Sequence, residues 1–217
     1  MSLLVIVPSR ARPENVHRLA EAFDRSSAEV LFVVDDTDPR LDEYLKIDPT
    51  RLRVLEGRSS MVSALNDAAV AEAGSFDHLG FMGDDHMPRT YRWADDIELV
   101  LRESSPGIVY CDDLFQGAAL PTAVFMHSLI VQRLGWMAPP GLKHLYVDNA
   151  WLDLGHALGS CTYLPEVVVE HLHPHAGKAE MDAGYERVNS DDMYEQDRNA
   201  YQAWLTRIGE HASKVLG

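Results

Sequence analysis

"FMGDDHMP", residues 81–88, sets two adjacent carboxylates and an imidazole, Asp84, Asp85 and His86, directly behind a glycine at the end of an apolar run. Neighbouring acids repel one another and are costly to desolvate unless a cation or hydrogen-bond donors compensate. The residues leading in, "FDHLGFM" (76–82), read as a strand, so the polar group stands at that strand's carboxyl end. In open parallel sheets, ligand crevices form at those ends. The stretch therefore predicts an α/β sheet that presents acids to something positive.

The flanking sequence supplies the rest of such a sheet. "SLLVIVPSR" (2–10) is a short apolar run ended by Pro8, the pattern of a buried strand, and "RPENVHRLAEAF" (12–23) carries Val16, Leu19, Ala20 and Phe23 at helical spacing behind Pro13. "EVLFVV" (29–34) is a second strand, stopped by the acids and proline of "DDTDP" (35–39). "LRVLEG" (52–57) is a short strand or connection, and "SSMVSALNDAAVAEAG" (59–74) an amphipathic helix capped by Ser59 or Ser60 and stopped at Gly74. Beyond the acidic group the pattern predicts a helix over 90–103, strands at "GIVYC" (107–111) and "TAVFM" (122–126), and helices at 128–135 and 148–158. An extended strand "CTYLPEVVVEHLH" (161–173) and a helical tail over 191–216 complete the chain.

Bulk properties agree with one α/β domain. The chain has 217 residues, 46% hydrophobic and 24% charged, enough to bury a sizeable core. It is expected to divide into residues 1–88, residues 89–175 and a C-terminal helical tail (176–217). A net charge of −15 disfavours phosphate backbones and anionic membranes as partners. No apolar run approaches a membrane span and the start lacks a basic leader, so a cytoplasmic location is expected. Two cysteines, Cys111 and Cys161, form neither a CxxC pair nor a disulfide framework and read as small buried hydrophobes.

Three polar clusters fall at predicted strand ends: Asp35 with Asp36, Asp84-Asp85-His86, and His171 with His173. Residues i and i+2 of a strand share a face, so His171 and His173 point the same way. Carboxylates suit Mg²⁺ or Mn²⁺, and imidazole shifts the balance towards Mn²⁺. Any one cluster alone reads equally well as a solvated turn. Their coincidence at strand ends favours a metal-assisted site.

These motifs resemble those of the GT-A glycosyltransferases, most closely the family 2-like nucleotide-sugar transferases and their short bacterial or phage-type relatives. The resemblance runs over roughly residues 3–175. "VIVPSRARPENVHRLAEAF" is similar to the opening strand and helix of that fold, "FVVDDTDP" to its nucleotide-base segment, and "FMGDDHMP" to its DxD motif, with His86 in the third place. The implied fold is a single Rossmann-like GT-A domain with a mostly parallel central sheet flanked by helices. Implied donors are UDP-, GDP- or dTDP-sugars, with Mn²⁺ or Mg²⁺ as cofactor.

The same resemblance implies residue roles. Pro8, Ser9 and Arg10 line the nucleotide pocket, Asp35 or Asp36 accepts a hydrogen bond from base or ribose, and Arg58 and Asn66, in "GRSSMVSALNDA", pass near base and diphosphate. A helix start near Ser59 would favour an anion there. Asp84 faces the ribose or the metal and Asp85 the metal, with a further ligand, His171 or His173, from "VVVEHLHPH". By the same resemblance residues 1–88 form the nucleotide-binding part and 89–175 the acceptor part; Asp112 and Asp113 are expected near donor sugar or acceptor, and Lys178 near a phosphate, although a lone lysine is more often an ordinary surface residue. "YVDNAWLDLG" (146–155) is similar to the acidic acceptor-side motif, making Asp148 the candidate base and Asp153 the second. An aspartate ahead of an apolar helical run also serves as an N-cap.

The expected activity is transfer of a sugar to an acceptor hydroxyl, with inversion. A small molecule or a protein is the expected acceptor; phage-type relatives keep a DNA base open, with a host-cytoplasmic location if the chain is phage-encoded. A nucleotidyltransferase on a related sheet is the rival enzyme, but "PSRARPEN" (8–15) lacks the glycine-rich loop such enzymes place after the first strand. A noncatalytic nucleotide-sugar-binding module is the third reading.

Overall fold

Alternation along the first two strands divides the interior into two cores. In β1 (Leu3–Pro8), Leu4 and Ile6 enter one core while Leu3, Val5 and Val7 enter the other. α1 (Pro13–Phe23) follows with proline at its first turn, and β2 (Glu29–Asp35) repeats the alternation with Leu31 and Val33 against Val30, Phe32 and Val34. Such double-faced burial is what a sheet covered by helices on both sides requires.

The computed structural model describes residues 2–57, 60–104 and 106–217. After β2 come α2 (Leu41–Tyr44), β3 (Leu52–Leu55), α3 (Met61–Glu72), β4 (His78–Phe81), β5 (His86–Pro88), α4 (Trp93–Glu103), β6 (Ile108–Asp112) and β7 (Val124–His127). Then follow α5 (Ser128–Leu134), α6 (Val147–Ala157), β8 (Cys161–His171), α7 (Ala183–Val188), α8 (Asp191–Leu205) and α9 (Ile208–Leu216). One eight-stranded sheet runs β3-β2-β1-β4-β7-β6-β8-β5. Four neighbour pairings are parallel and three antiparallel. This is the expected α/β class, with α3, α5, α6 and α9 contributing to one core and α1 and α4 to the other.

Several boundaries differ from the sequence expectation, each for a local reason. The helix expected from residue 90 begins at Trp93, because Arg92 takes φ 60° at its N-cap. The tail expected as one helix from 191 breaks into α8 and α9 around Thr206 and Arg207, and α7 precedes both. β8 ends at His171, two residues early, and slips register between Leu164 and Val168, where exposed Pro165 cannot donate to a ladder. β5, three residues long, has no periodic signature to read.

Glycine at position 80 has a packing cause. A Cβ there would lie 2.6 Å from the Phe125 ring on neighbouring β7, so only glycine lets that ring cross β4. The close approach seals the sheet beside the strand end that carries Gly83, Asp84 and Asp85.

Candidate metal and nucleotide-sugar site

The carboxyl ends of β1, β2 and β4, the ends of β5 and β8, and the start of α6 border one cleft of about 350 Å³. Its lining takes in Pro8, Ser9, Arg10, Asp35, Asp84 and Asp85 from the first half of the chain, and Asp148, His171 and His173 from the second. These nine residues, all singled out in the sequence, thus share one cavity with His86.

β5 accounts for the meeting of distant residues. It pairs antiparallel with β8, with His86 directly opposite His171 and the two rings stacked at 4.3 Å. The chain therefore turns back immediately after the paired acids, and Leu172 N–H is bonded to the Asp85 carbonyl at 2.9 Å. His171 Nε2 lies 3.5 Å from Asp85 Oδ2, and His86 Nδ1 lies 3.4 Å from Asp85 Oδ1. Burial opposes the Asp85 charge, but the His171 imidazole beside it holds its carboxyl well below the usual range.

Gly83 makes this arrangement possible. A Cβ at that position would stand 2.6 Å from Asp85 Oδ1 and 3.0 Å from His86 Nδ1. With glycine, the backbone N–H of residue 83 instead donates to His86 Nδ1 at 3.0 Å. The His86 proton then belongs on Nε2, which faces Thr122 Oγ1 at 3.4 Å, and that hydroxyl donates to Asp113 Oδ2 at 2.8 Å. The glycine before the two acids thus orients the imidazole behind them.

Asp85, His86 and His171 offer ligand atoms all within 4.8 Å of one another, a set able to hold a metal ion. The donor chemistry fits: a buried carboxylate and imidazole suit Mn²⁺, and His171 Nδ1 is buried without a hydrogen-bond partner. Because Gly83 N–H already occupies Nδ1 of His86, Asp85 and His171 are the residues better placed to hold an ion, with His86 packed behind them. His173 sits beside them, its ring 4.8 Å from that of His171; burial and then His171 lower its pKa to about 4, keeping it neutral.

Asp84 is turned the other way. Its Oδ2 accepts the Ser9 hydroxyl at 2.5 Å, and Arg12 lies 3.5 Å from Oδ1. Burial, then the Asp85 charge, pushes its carboxyl up to about 6. Ser9 also bonds the Tyr44 hydroxyl at 2.9 Å, tying the end of β1 to α2. Asp35, buried at the end of β2, accepts Thr37 N–H at 2.9 Å and has Arg10 at 3.8 Å.

On the other side of the cleft, α6 opens at Val147 with Tyr146 as its N-cap at φ 61°, so Asp148 stands inside the first turn and is not the cap. Its carboxylate accepts the adjoining Asn149 N–H at 2.9 Å, and burial raises its pKa. The loop ahead of it is held by Asp197 of α8, fully buried, which accepts N–H groups of Lys143, His144 and Leu145 at 3.0, 2.8 and 2.7 Å.

Other expected site residues are engaged elsewhere. Asn66 bonds the Met137 and Ala138 backbone, joining α3 to the segment before α6. Asp153 accepts the Tyr201 hydroxyl of α8. Asp113 accepts three backbone N–H groups, from Phe115, Gln116 and Gly117, which organise its loop. Asp36 is exposed and takes Gly57 N–H at 3.1 Å. Lys178 pairs with Glu170 at 2.9 Å and borders a smaller cavity next door. Arg58 and Ser59 lie outside the described residues.

Sequence reading missed Arg12, Tyr185 and Asp182. Tyr185 donates its hydroxyl to Asp85 Oδ2, and Arg12 lies 4.1 Å above the Tyr185 ring while forming a double hydrogen bond to Asp182, 2.8 Å for each. Asp182 and Tyr185 come from a polar, unpatterned stretch of the tail and Arg12 from the turn into α1, and no local signal marks them.

No family model matches the chain, and no curated protein matches it in sequence. Solved structures do match in shape. A mannosyltransferase from Pyrobaculum calidifontis, in complex with GDP-Man and Mn²⁺, aligns with TM-score 0.62 at 14% identity, over 99% of this chain and 73% of that one. S. aureus TarS 1–349 aligns with TM-score 0.58 at 15% identity, over 95% and 71%, and a mycobacterial protein with TM-score 0.58 at 12% identity, over 96% and 75%. Among the described residues no helix is long and apolar enough to cross a membrane. The sheet order, the cleft at its strand ends and these likenesses together establish that the chain has the GT-A fold.

Proposed function

We propose that the protein is a metal-dependent glycosyltransferase, moving a hexosyl or pentosyl group from a nucleoside-diphosphate sugar to an acceptor hydroxyl with inversion. The observation that carries this reading is the meeting of Asp85, His86 and His171 in the same cleft as Asp148. The GDP-Man and Mn²⁺ bound by the similar mannosyltransferase support it.

Each side chain has a task the chemistry requires. Pro8, Ser9, Arg10 and Asp35 cradle the nucleoside at the strand ends. Asp85 and His171 hold Mn²⁺ or Mg²⁺, with His86 fixing their geometry and His173 alongside. When bound, the cation supplies stabilisation of the charge that develops on the departing diphosphate. Asp148 accepts the acceptor hydroxyl's proton as that oxygen attacks; its raised pKa makes it a stronger base than an exposed aspartate. A small molecule or a protein is the favoured acceptor, given the net charge of −15.

A thermal-melt panel tests the reading. Mn²⁺ with UDP, GDP or dTDP should raise the melting temperature, since a ligand present at ~100 times its Kd stabilises the native state by about 2.7 kcal/mol. Asp85→Ala should erase the Mn²⁺-dependent part of the shift. Absence of any shift across the panel refutes the proposal.

A further inference from the structure

Asp182 and Tyr185 bracket the start of α7 and reach into the site from the tail. Asp182 caps the helix, accepting Tyr185 N–H at 2.9 Å, while its carboxylate holds Arg12. Tyr185 meanwhile covers an oxygen of Asp85. A Cβ on the intervening Gly184 would stand 3.2 Å from the Arg12 guanidinium, so glycine lets that group lie against the α7 backbone. The segment is pinned by two contacts, one to the cation nearest Asp84 and one to a ligand oxygen of the metal set.

Both contacts use the chemistry of the expected ligand with the signs preserved. A carboxylate on a guanidinium substitutes for a phosphate, which takes the same forked donor. A hydroxyl proton on Asp85 substitutes for a cation. The main cleft and a second cavity of about 200 Å³ both border Arg12, Asp85 and Tyr185. The second cavity adds Arg18, Lys178 and Asn15 to its wall, together with the acids Glu14, Glu180 and Asp182. Tyr185 therefore stands as a partition between a nucleoside-sized cleft and a smaller chamber of mixed charge.

We infer that Asp182 and Tyr185 form an internal latch that occupies the positions of a metal–diphosphate group, and that Arg12 is a diphosphate-binding residue released when the latch opens. This inference rests on the proposed nucleoside-diphosphate-sugar reading. A protein whose binding-competent state is only partly populated binds its ligand more weakly by that fraction, so weakening the latch tightens binding.

Isothermal titration of the full chain with Mn²⁺ alone, and with Mn²⁺ plus UDP or GDP, tests the latch. Tyr185→Phe should bind Mn²⁺ roughly 3–10-fold more tightly than wild type, and Asp182→Asn should bind the Mn²⁺–diphosphate roughly 3–10-fold more tightly. Arg12→Gln should bind the diphosphates about tenfold more weakly, leaving uridine and guanosine unchanged. Wild-type or weaker affinity in folded Tyr185→Phe and Asp182→Asn, checked by circular dichroism, overturns the latch. Hydrogen exchange in the wild type gives a second measure that needs no variant: saturating Mn²⁺ and diphosphate should speed exchange over 182–188, and unchanged or slower exchange overturns it. If wild type binds the diphosphates and the variants bind no tighter, the latch alone fails. If no form binds any diphosphate, the glycosyltransferase reading fails and takes the latch with it.

Discussion

His86 and His171 face each other across an antiparallel ladder with their rings stacked at 4.3 Å, one directly behind the paired acids and the other at the end of the longest strand. Pairing β5 to β8 converts two separate sequence motifs into one ligand set, because a ladder fixes which side chains oppose each other. The consequences can be measured residue by residue.

Gly83→Ala tests the cradle. A methyl group must displace Asp85 Oδ1 from 2.6 Å and His86 Nδ1 from 3.0 Å, at a cost of about 1–3 kcal/mol. Mn²⁺ affinity should fall at least roughly tenfold in titration, a drop of about 1.4 kcal/mol, and the melting temperature should decline. Unchanged Mn²⁺ affinity would show that the acids and imidazole do not depend on this glycine.

Asp148→Asn keeps the shape of the α6 start, including an acceptor for Asn149 N–H. Folding and donor binding should stay near wild type, while transfer drops by about 10²–10⁴-fold with loss of the base. Calorimetric binding beside a product assay separates the two. A parallel loss of both would assign Asp148 to helix structure.

Asp197 should be a strong stability determinant although it lies outside the cleft lining. Asp197→Ala leaves three backbone N–H groups of residues 143–145 without their charged, buried acceptor, a loss of about 2–4 kcal/mol in urea unfolding. Because the same loop leads into Tyr146 and Asp148, acceptor KM should rise in parallel. A change under about 0.5 kcal/mol would be that of an ordinary surface substitution.

Acid should weaken the fold through His78. This residue is buried at the far end of β4, against His127 and near Glu98, Asp77 and Arg102, and burial lowers its pKa from 6.5 to about 4. Its neutral form is the folded form, so stability is complete above pH 6.5 and is lost as pH falls towards 4 while the unfolded chain takes up the proton. The contribution is on the order of 2–3 kcal/mol, readable as a steeper fall in melting temperature over that window for wild type than for His78→Gln. Identical pH profiles would remove His78 from the account.

The sequence by itself determined the sheet-and-helix order through the first half of the chain, since the short apolar runs 3–7 and 30–34, stopped by proline or acids, fit buried strands and the spacing in 13–23 fits a helix. It also marked the strand ends at Asp35, Asp84 and His171 as polar, and their coincidence there pointed to a ligand site. Tertiary structure decided which polar groups meet. β5 is too short for periodicity, so the contact of His86 with His171 was invisible, as were the backbone and tyrosine partners of Asn66, Asp113 and Asp153. Arg12, Asp182, Tyr185 and Asp197 act through partners far away in the chain, and such contacts leave no local pattern because burial and pairing, unlike alternation, are properties of the folded whole.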